Sequence, residues 1–273
     1  MNHRPVTVLG ASGFIGRHLV ARLRADGFAC DAPPRQDADL LSRPLGHVIY
    51  AIGLTSDFRS RPLDTVEAHV CLLRSLLAHG DFDSLTYLSS TRVYSGAAST
   101  REDAALRVNP NDPSDLYNLS KLMGESLCLH GGRPAKVARL SNIVGLRDTP
   151  DSFIDQLLEE GARDGRITLR TALESRKDYL HIDDAVSQIM AIALSDAAGI
   201  FNVAHGAGVE TREVAACVRD VLGYPFSVAP DAPAWAFDDI DVQRTQALVR
   251  RPPRPFSEFF PNFLAQYRLH KGI

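Results

Sequence analysis

Tyr117 and Lys121 stand four residues apart in Tyr117-Asn118-Leu119-Ser120-Lys121. On a helix that spacing puts both side chains on one face. A phenol beside an ammonium can carry a proton. A free tyrosine has a pKa near ~10, and bringing it to ~7 takes about 4 kcal/mol of preferential phenolate stabilisation. A cation in a dry cleft supplies that kind of stabilisation. Tyr/Lys at this spacing is also common on ordinary helices, so the pair needs support from elsewhere. Two segments give it. Gly10-Ala11-Ser12-Gly13-Phe14-Ile15-Gly16 has the glycines of a turn that lets backbone approach a pyrophosphate. Ser89-Ser90-Thr91-Arg92-Val93-Tyr94 places hydroxyls at the end of an apolar run, where they can orient a substrate oxygen or simply cap a turn.

These residues need a scaffold, and the flanking segments describe one. Val6-Thr7-Val8-Leu9 is a β-rich run ending at Gly10, and Leu19, Val20 and Leu23 recur at helical spacing up to Asp26-Gly27. Phe28 to Ala32 is a poor strand that runs into Pro33-Pro34-Arg35. His47 to Ile52 is a strong strand, and Leu63 to Leu77 is a helix. A strand at Leu85 to Ser89, a helix at Pro113 to Leu129 and a strand at Lys136 to Leu140 follow. Alternation of this kind predicts an α/β fold, a doubly wound parallel sheet of Rossmann type. Residues 1–145 form the dinucleotide-binding unit in this reading, and 146–273 a smaller C-terminal substrate-binding lobe. The strand near 200–204 is expected to join the first sheet. Helices are expected at Phe153 to Gly161, Asp184 to Leu194 and Arg212 to Leu222, a proline-containing loop from Pro225 to Pro233, and a break at Pro252-Pro253.

In this order the motifs resemble the extended short-chain dehydrogenase/reductase superfamily, the NAD-dependent epimerase/dehydratase group. The similarity runs on through Arg139 to Gly145 (R-x-x-N-x-x-G), Lys177 to Asp184 (R-D-F-x-x-V-x-D) and Phe201 to Gly206 (Y-N-x-x-x-G). The resemblance implies that Tyr117 is the acid/base, that Lys121 holds the nicotinamide ribose and lowers the tyrosine pKa, and that Ser90 orients the substrate. It places Gly10, Ser12, Gly13, Phe14, Ile15, Gly16, Ala51, Ile52, Gly53 and Ser89 against the cofactor, with Tyr117 and Lys121. Thr91, Asn142 and Arg176 fall on the substrate side. Asp183 and Asp184 are expected to cap a helix and brace the site. An acidic residue at the end of the second strand binds a ribose 2′-OH and an arginine a 2′-phosphate. Arg35 there points to NADP, with NAD possible, or is a solvated surface charge.

Departures from the family narrow the chemistry. Thr91-Arg92 stands where 4,6-dehydratases carry Asp-Glu, and Arg92 where some epimerase-reductases carry a cysteine. The remaining set, Ser90, Tyr117 and Lys121, suffices for hydride transfer at one carbon. The implied activity is a 4-epimerase or 4-ketoreductase acting on a sugar alcohol or ketone, nucleotide-linked in family terms. The alternative is a dehydrogenase or reductase of a smaller carbonyl compound. His69 replaces the asparagine of an N-V-x-G-T segment. No arginine stands at the family's diphosphate position near Asp239, and Arg170, Arg176 or Arg250 are substitutes. By resemblance the protein is a homodimer through helices at about 64–78 and 114–129, although a buried core face explains their apolar residues equally well.

Composition sets limits. A net charge of −3 with no basic block gives no electrostatic support for nucleic-acid or membrane-surface binding. Four scattered cysteines, with no C-x-x-C pair and no neighbouring histidine at metal spacing, suggest buried hydrophobes and no metal. The absence of a signal-like segment or an apolar stretch of about 18 residues leads to the expectation of a cytoplasmic protein that binds a small-molecule substrate and no nucleic acid or membrane.

Overall fold

A computed structural model of the chain describes residues 5–147, 149–235 and 237–272. β1 (Val6–Leu9) is buried at all four positions and leads through the glycine loop into α1 (Phe14–Ala25). β2 (Cys30–Asp31) is only two residues long, and Pro33-Pro34 follows it, where the missing N–H groups cannot extend a ladder. No helix links β2 to β3 (His47–Tyr50), so this crossover is trimmed.

The single helix expected from Leu63 to Leu77 is three pieces: α2 (Pro62–Val66), a π-helical turn (Glu67–Cys71) and α3 (Leu72–His79). Turns of this kind mark functional sites in many proteins, and this one buries His69 completely. β4 (Ser84–Ser90) ends at the serine pair, and a 3₁₀ turn (Thr91–Tyr94) follows. α4 (Asp115–His130) carries the tyrosine and lysine, and β5 (Ala135–Leu140) returns to the sheet.

The second half comprises β6 (Asn142–Val144), α5 (Phe153–Asp164), β7 (Ile167–Leu169), β8 (Arg176–His181), α6 (Ile182–Ala193), β9 (Gly199–Val203), β10 (Gly208–Glu210), α7 (Thr211–Leu222), β11 (Phe226–Val228), α8 (Gln243–Gln246) and α9 (Phe256–Lys271). Six parallel strands form the main sheet in the order β2-β1-β3-β4-β5-β9. The order reverses beside β1, the place where an open α/β sheet holds its ligand. α6 and β9 come from beyond residue 146 but pack into the core that contains β1 and α1.

The rest of the second half is built on two small sheets, β10-β8-β6 and β11-β7. The expected loop from Pro225 to Pro233 therefore holds a strand, β11, parallel to β7. α9 lies beyond Pro252-Pro253 and tolerates Pro261 in its interior. Its Phe259, Phe260, Phe263 and Leu264 pack with Leu157, Leu158 and Val214 into the lobe's own core. This apolar burial outweighs the helix-breaking cost of the proline. No helix among the described residues is long and apolar enough to cross a membrane.

Candidate active site

The glycine loop is shaped for close approach. Gly10 has φ +84°, and a Cβ there would stand 2.7 Å from the Ala51 carbonyl oxygen. A Cβ at Gly16 would come within 2.1 Å of the Gly10 oxygen. No larger residue fits either place. Ala51 N–H donates to Leu9 O at 2.8 Å, so the loops after β1 and β3 close one side of a crevice. α1 begins here with no acidic side chain in its first turn, which leaves its N–H groups open to an anion. The cradle thus fits a dinucleotide pyrophosphate. Ser12 and Gly13 are exposed at its rim, and Phe14 and Ile15 are half-buried. Arg147, not foreseen from sequence, stacks on Phe14 with its guanidinium carbon 3.8 Å from the ring centre.

Beside the cradle, β4 and α4 bring the reactive groups together. Ser90 is the last residue of β4, and its Oγ accepts the Arg92 backbone N–H at 3.2 Å. The Ser90 hydroxyl faces the Tyr117 phenol closely enough to lower its pKa. Tyr117 is buried, with the Phe58 ring 5.4 Å away. Burial pushes its pKa above the ordinary phenol value, while the Ser90 hydroxyl and the Arg92 charge pull it down. Tyr117 is therefore protonated at neutral pH in this state.

Lys121 Nζ donates to Leu88 O at 2.9 Å and lies 5.9 Å from the Tyr117 ring centre. Burial pulls the Lys121 pKa to about 7, and the Glu125 carboxylate opposes that fall. A Cβ on Gly53 would stand 3.4 Å from Lys121 Nζ and 3.1 Å from His69 Nε2, so the loop after β3 abuts both.

His69 is a bridge. Its Nε2 accepts the Leu54 N–H at 3.2 Å and its Nδ1 meets Ser120 Oγ at 2.8 Å. The proton therefore sits on Nδ1 and is donated to Ser120, whose hydroxyl donates to Tyr117 O at 2.9 Å. Burial first, and Lys121 second, hold the His69 pKa down at about 2, so the imidazole is neutral. The π-helical turn thus ties the cofactor-side loop to the tyrosine's own backbone.

Several expected site residues have other partners. Ser89 is buried and donates to Glu125 Oε1 at 2.6 Å. Thr91 is turned inward, with its hydroxyl donating to Leu140 O, so it packs in the core instead of facing substrate. Asn142 is exposed on β6 and donates to Asp178 O at 2.8 Å. Arg176 pairs with Asp239 at 3.0 Å and Arg170 with Glu160 at 2.8 Å, while Arg250 is exposed. Arg35 is exposed after β2. Asp183 and Asp184 lie in the first turn of α6, but the side chain that caps that helix is His181, and Asp184 binds Arg254 at 3.0 Å.

Beneath the site runs a buried chain that sequence reading missed. Arg139 Nη2 meets Glu125 Oε2 at 2.6 Å and Nη1 donates to Tyr94 Oη at 2.8 Å. Tyr94 Oη donates to Asn202 Oδ1 at 2.9 Å.

Residues 6–204 match the NAD dependent epimerase/dehydratase family. The chain belongs to this family. As a member it is an NAD(P)-dependent enzyme of the extended short-chain dehydrogenase type. Its relatives in the family include GDP-6-deoxy-D-mannose reductase of Pseudomonas aeruginosa, 28% identical over 82% of this chain and 82% of the relative. Another is dTDP-glucose 4,6-dehydratase of Streptomyces griseus, 29% identical over 72% of this chain and 61% of the relative. The fold is shared with RMD from Pseudomonas aeruginosa complexed with NADPH, with a TM-score of 0.77, 23% identity, and coverage of 98% of this chain and 100% of the other. MoeE5 in complex with UDP-glucose and NAD also has a TM-score of 0.77, with 21% identity and coverage of 98% and 100%.

Proposed function

We propose that this family member transfers hydride at a secondary alcohol or ketone of a nucleotide-linked sugar, as a 4-epimerase or 4-ketoreductase, and prefers NADP. The observation that carries the reading is the Ser90–Tyr117–Lys121 cluster beside the glycine cradle. The residues after Ser90 offer no second acid or base: Thr91 is turned into the core and Arg92 is a guanidinium. Elimination of water would need both. The names of the relatives, which act on GDP- and dTDP-linked sugars, support a nucleotide-linked substrate. Arg35 after β2 supports a 2′-phosphate partner.

A bound nicotinamide supplies the hydride acceptor or donor. Ser90 holds the substrate oxygen against the Tyr117 phenol. A protonated Tyr117 delivers its proton to a carbonyl oxygen as that oxygen gains charge, and takes it back in the reverse sense. Burial of the site keeps bulk water from competing for that proton. Lys121 puts a positive charge beside the ring and stabilises the phenolate left after transfer.

Tyr117→Phe tests the reading. The expected loss in kcat/KM on nucleotide sugars is about 10²–10⁴-fold, with the Kd for NADPH unchanged by calorimetry. A variant that turns over at the wild-type rate would refute the assignment of the proton carrier.

A further inference from the structure

Helical spacing puts Lys121 beside Tyr117, and the fold adds a second cation at a similar distance. The Arg92 guanidinium carbon lies 5.6 Å from the Tyr117 ring centre, and Lys121 Nζ lies 5.9 Å from it. Arg92 is half-buried in the 3₁₀ turn, and its backbone N–H is bonded to Ser90 Oγ at 3.2 Å. One short turn therefore seats both the Ser90 hydroxyl and this guanidinium. The side chain rests near the Phe58 ring, at 5.2 Å, and makes a long hydrogen bond from Nη2 to Ser114 O at 3.4 Å. Among the described residues no carboxylate is ion-paired with it. Arg139 and Arg147, by contrast, are paired with Glu125 and Asp155. A half-buried charge without a partner is costly.

A partner of opposite charge forms at Tyr117 during the reaction. In the reductive sense the carbonyl carbon takes hydride and its oxygen takes the Tyr117 proton. The electron pair of the broken O–H bond stays on Tyr117 as a phenolate, in a buried site where water cannot spread its charge. Lys121 answers that charge only in part. Burial, opposed by Glu125, brings its pKa to about 7, so it discharges as the pH rises through that value. Burial and then Arg59 draw the Arg92 pKa down, but a guanidinium stays charged throughout. Arg92 pulls the Tyr117 pKa down against burial, and Tyr117 in turn pulls that of Arg92 up.

The other ionisable groups around the ring do not compete for this part. His69, edge-on to the ring at 5.4 Å, is held neutral by burial and by Lys121. Burial keeps Tyr87 on β4 protonated. Glu125 is paired with Arg139, and Asp112 and Asp115 accept the N–H groups of Ser114 and Asn109. Arg59 sits on Phe58 at 4.5 Å and Lys177 of β8 on Phe153 at 4.6 Å, and the Arg92 charge repels both.

We infer that Arg92 is a positioning residue for proton transfer, its fixed charge stabilising the Tyr117 phenolate beyond what Lys121 supplies, on the reading that Tyr117 is the proton carrier. Arg92 offers no acid or base of its own and serves the reaction through the tyrosine. It widens the pH range over which Tyr117 can act as a base when an alcohol is oxidised.

Ultraviolet titration of the NADP⁺-saturated protein tests this without a substrate. The tyrosinate signal lost in Tyr117→Phe belongs to Tyr117. With the positive nicotinamide present, its midpoint is expected below about 10, the ordinary phenol value. Arg92→Gln and Arg92→Met, two neutral variants of different shape, are each expected to move it up by about one pH unit. Arg92→Lys keeps the charge and should move it less, as should Arg59→Gln, which leaves Arg92 in place. In oxidation of UDP-glucose, GDP-mannose or dTDP-glucose by NADP⁺, the neutral variants should lower kcat about tenfold near neutral pH, with KM unchanged. That deficit should close as the pH rises. A midpoint unmoved in the neutral variants, or moved as far by Arg59→Gln, overturns the inference and leaves Tyr117 as the proton carrier. A deficit in KM alone at every pH means that Arg92 grips the substrate, and also overturns it. A wild type with no Tyr117 step below about 10 overturns the parent reading as well.

Discussion

At Tyr117 groups from five segments meet: Phe58 from the loop before α2, His69 from the π-helical turn, Ser90 from the end of β4, Arg92 from the 3₁₀ turn, and Lys121 one turn along α4. Tyr117, Lys121 and Ser90 were legible because their signals are local, a helical spacing and a serine pair after an apolar run. Phe58 and the orientation of Arg92 were not, because only the tertiary fold brings them to the ring. His69 could be flagged as a departure, but its role as a bridge depends on Leu54 and Ser120, which no spacing links. Lys121 allows a test of the site's dryness. Its pKa is about 7 when folded, against an ordinary value of 10.5. Between those values the unfolded chain keeps a proton that the folded protein has released. Stability contributed by Lys121 therefore rises with pH across that window, and the burial penalty is fully present below it. Lys121→Met removes the titrating group. Urea midpoints at about pH 6 and about pH 9 should increase more for the wild type than for the variant, whose remaining pH dependence comes from other groups. An equal increase would mean that the lysine is solvated.

The elements that hold these residues are tied from below. Glu125 lies one turn beyond Lys121 on α4 and receives Ser89 from β4 and Arg139 from β5, and Tyr94 passes the connection to Asn202 on β9. The Glu125 and Arg139 side chains are each 3% exposed. Loss of one partner leaves the other charge buried and unpaired, which costs roughly 3–5 kcal/mol. Glu125→Ala is expected to lower unfolding stability by that amount. In a cycle with Arg139→Met the double variant should recover part of it, because no lone charge remains. A loss below about 1 kcal/mol, the range of exposed pairs, would show that water reaches the pair. Element types followed from periodicity wherever segments were long, as with α1, α4 and α7. The π-helical turn was hidden because one extra residue per turn barely disturbs an apolar stripe. α9 was hidden because Pro252-Pro253 and Pro261 read as breaks, although four phenylalanines between 256 and 263 pack strongly enough to keep the helix.

Across the whole molecule, the alternation of strands and helices was enough to predict the parallel sheet, because each crossover leaves a long local signal. The small sheets were not legible: β6, β7, β10 and β11 have three residues each, too few for a period of two to show. The return of α6 and β9 to the first core makes the cofactor crevice depend on both halves of the chain. Cofactor binding should therefore stabilise the molecule as a whole. A ligand at 100 times its Kd adds about 2.7 kcal/mol, which for a chain of this size raises Tm by several degrees. Arg35 makes the two cofactors distinguishable. It is exposed after β2 and free to meet a 2′-phosphate, whereas Arg43 nearby is occupied by Asp31 and Asp37 at 2.6 Å each. At equal concentrations NADPH is expected to raise Tm more than NADH. Arg35→Ser should remove most of that difference by weakening NADPH alone, because NADH carries no group for the arginine to hold. Equal shifts from both cofactors in the wild type would count against a 2′-phosphate contact and for a solvated Arg35.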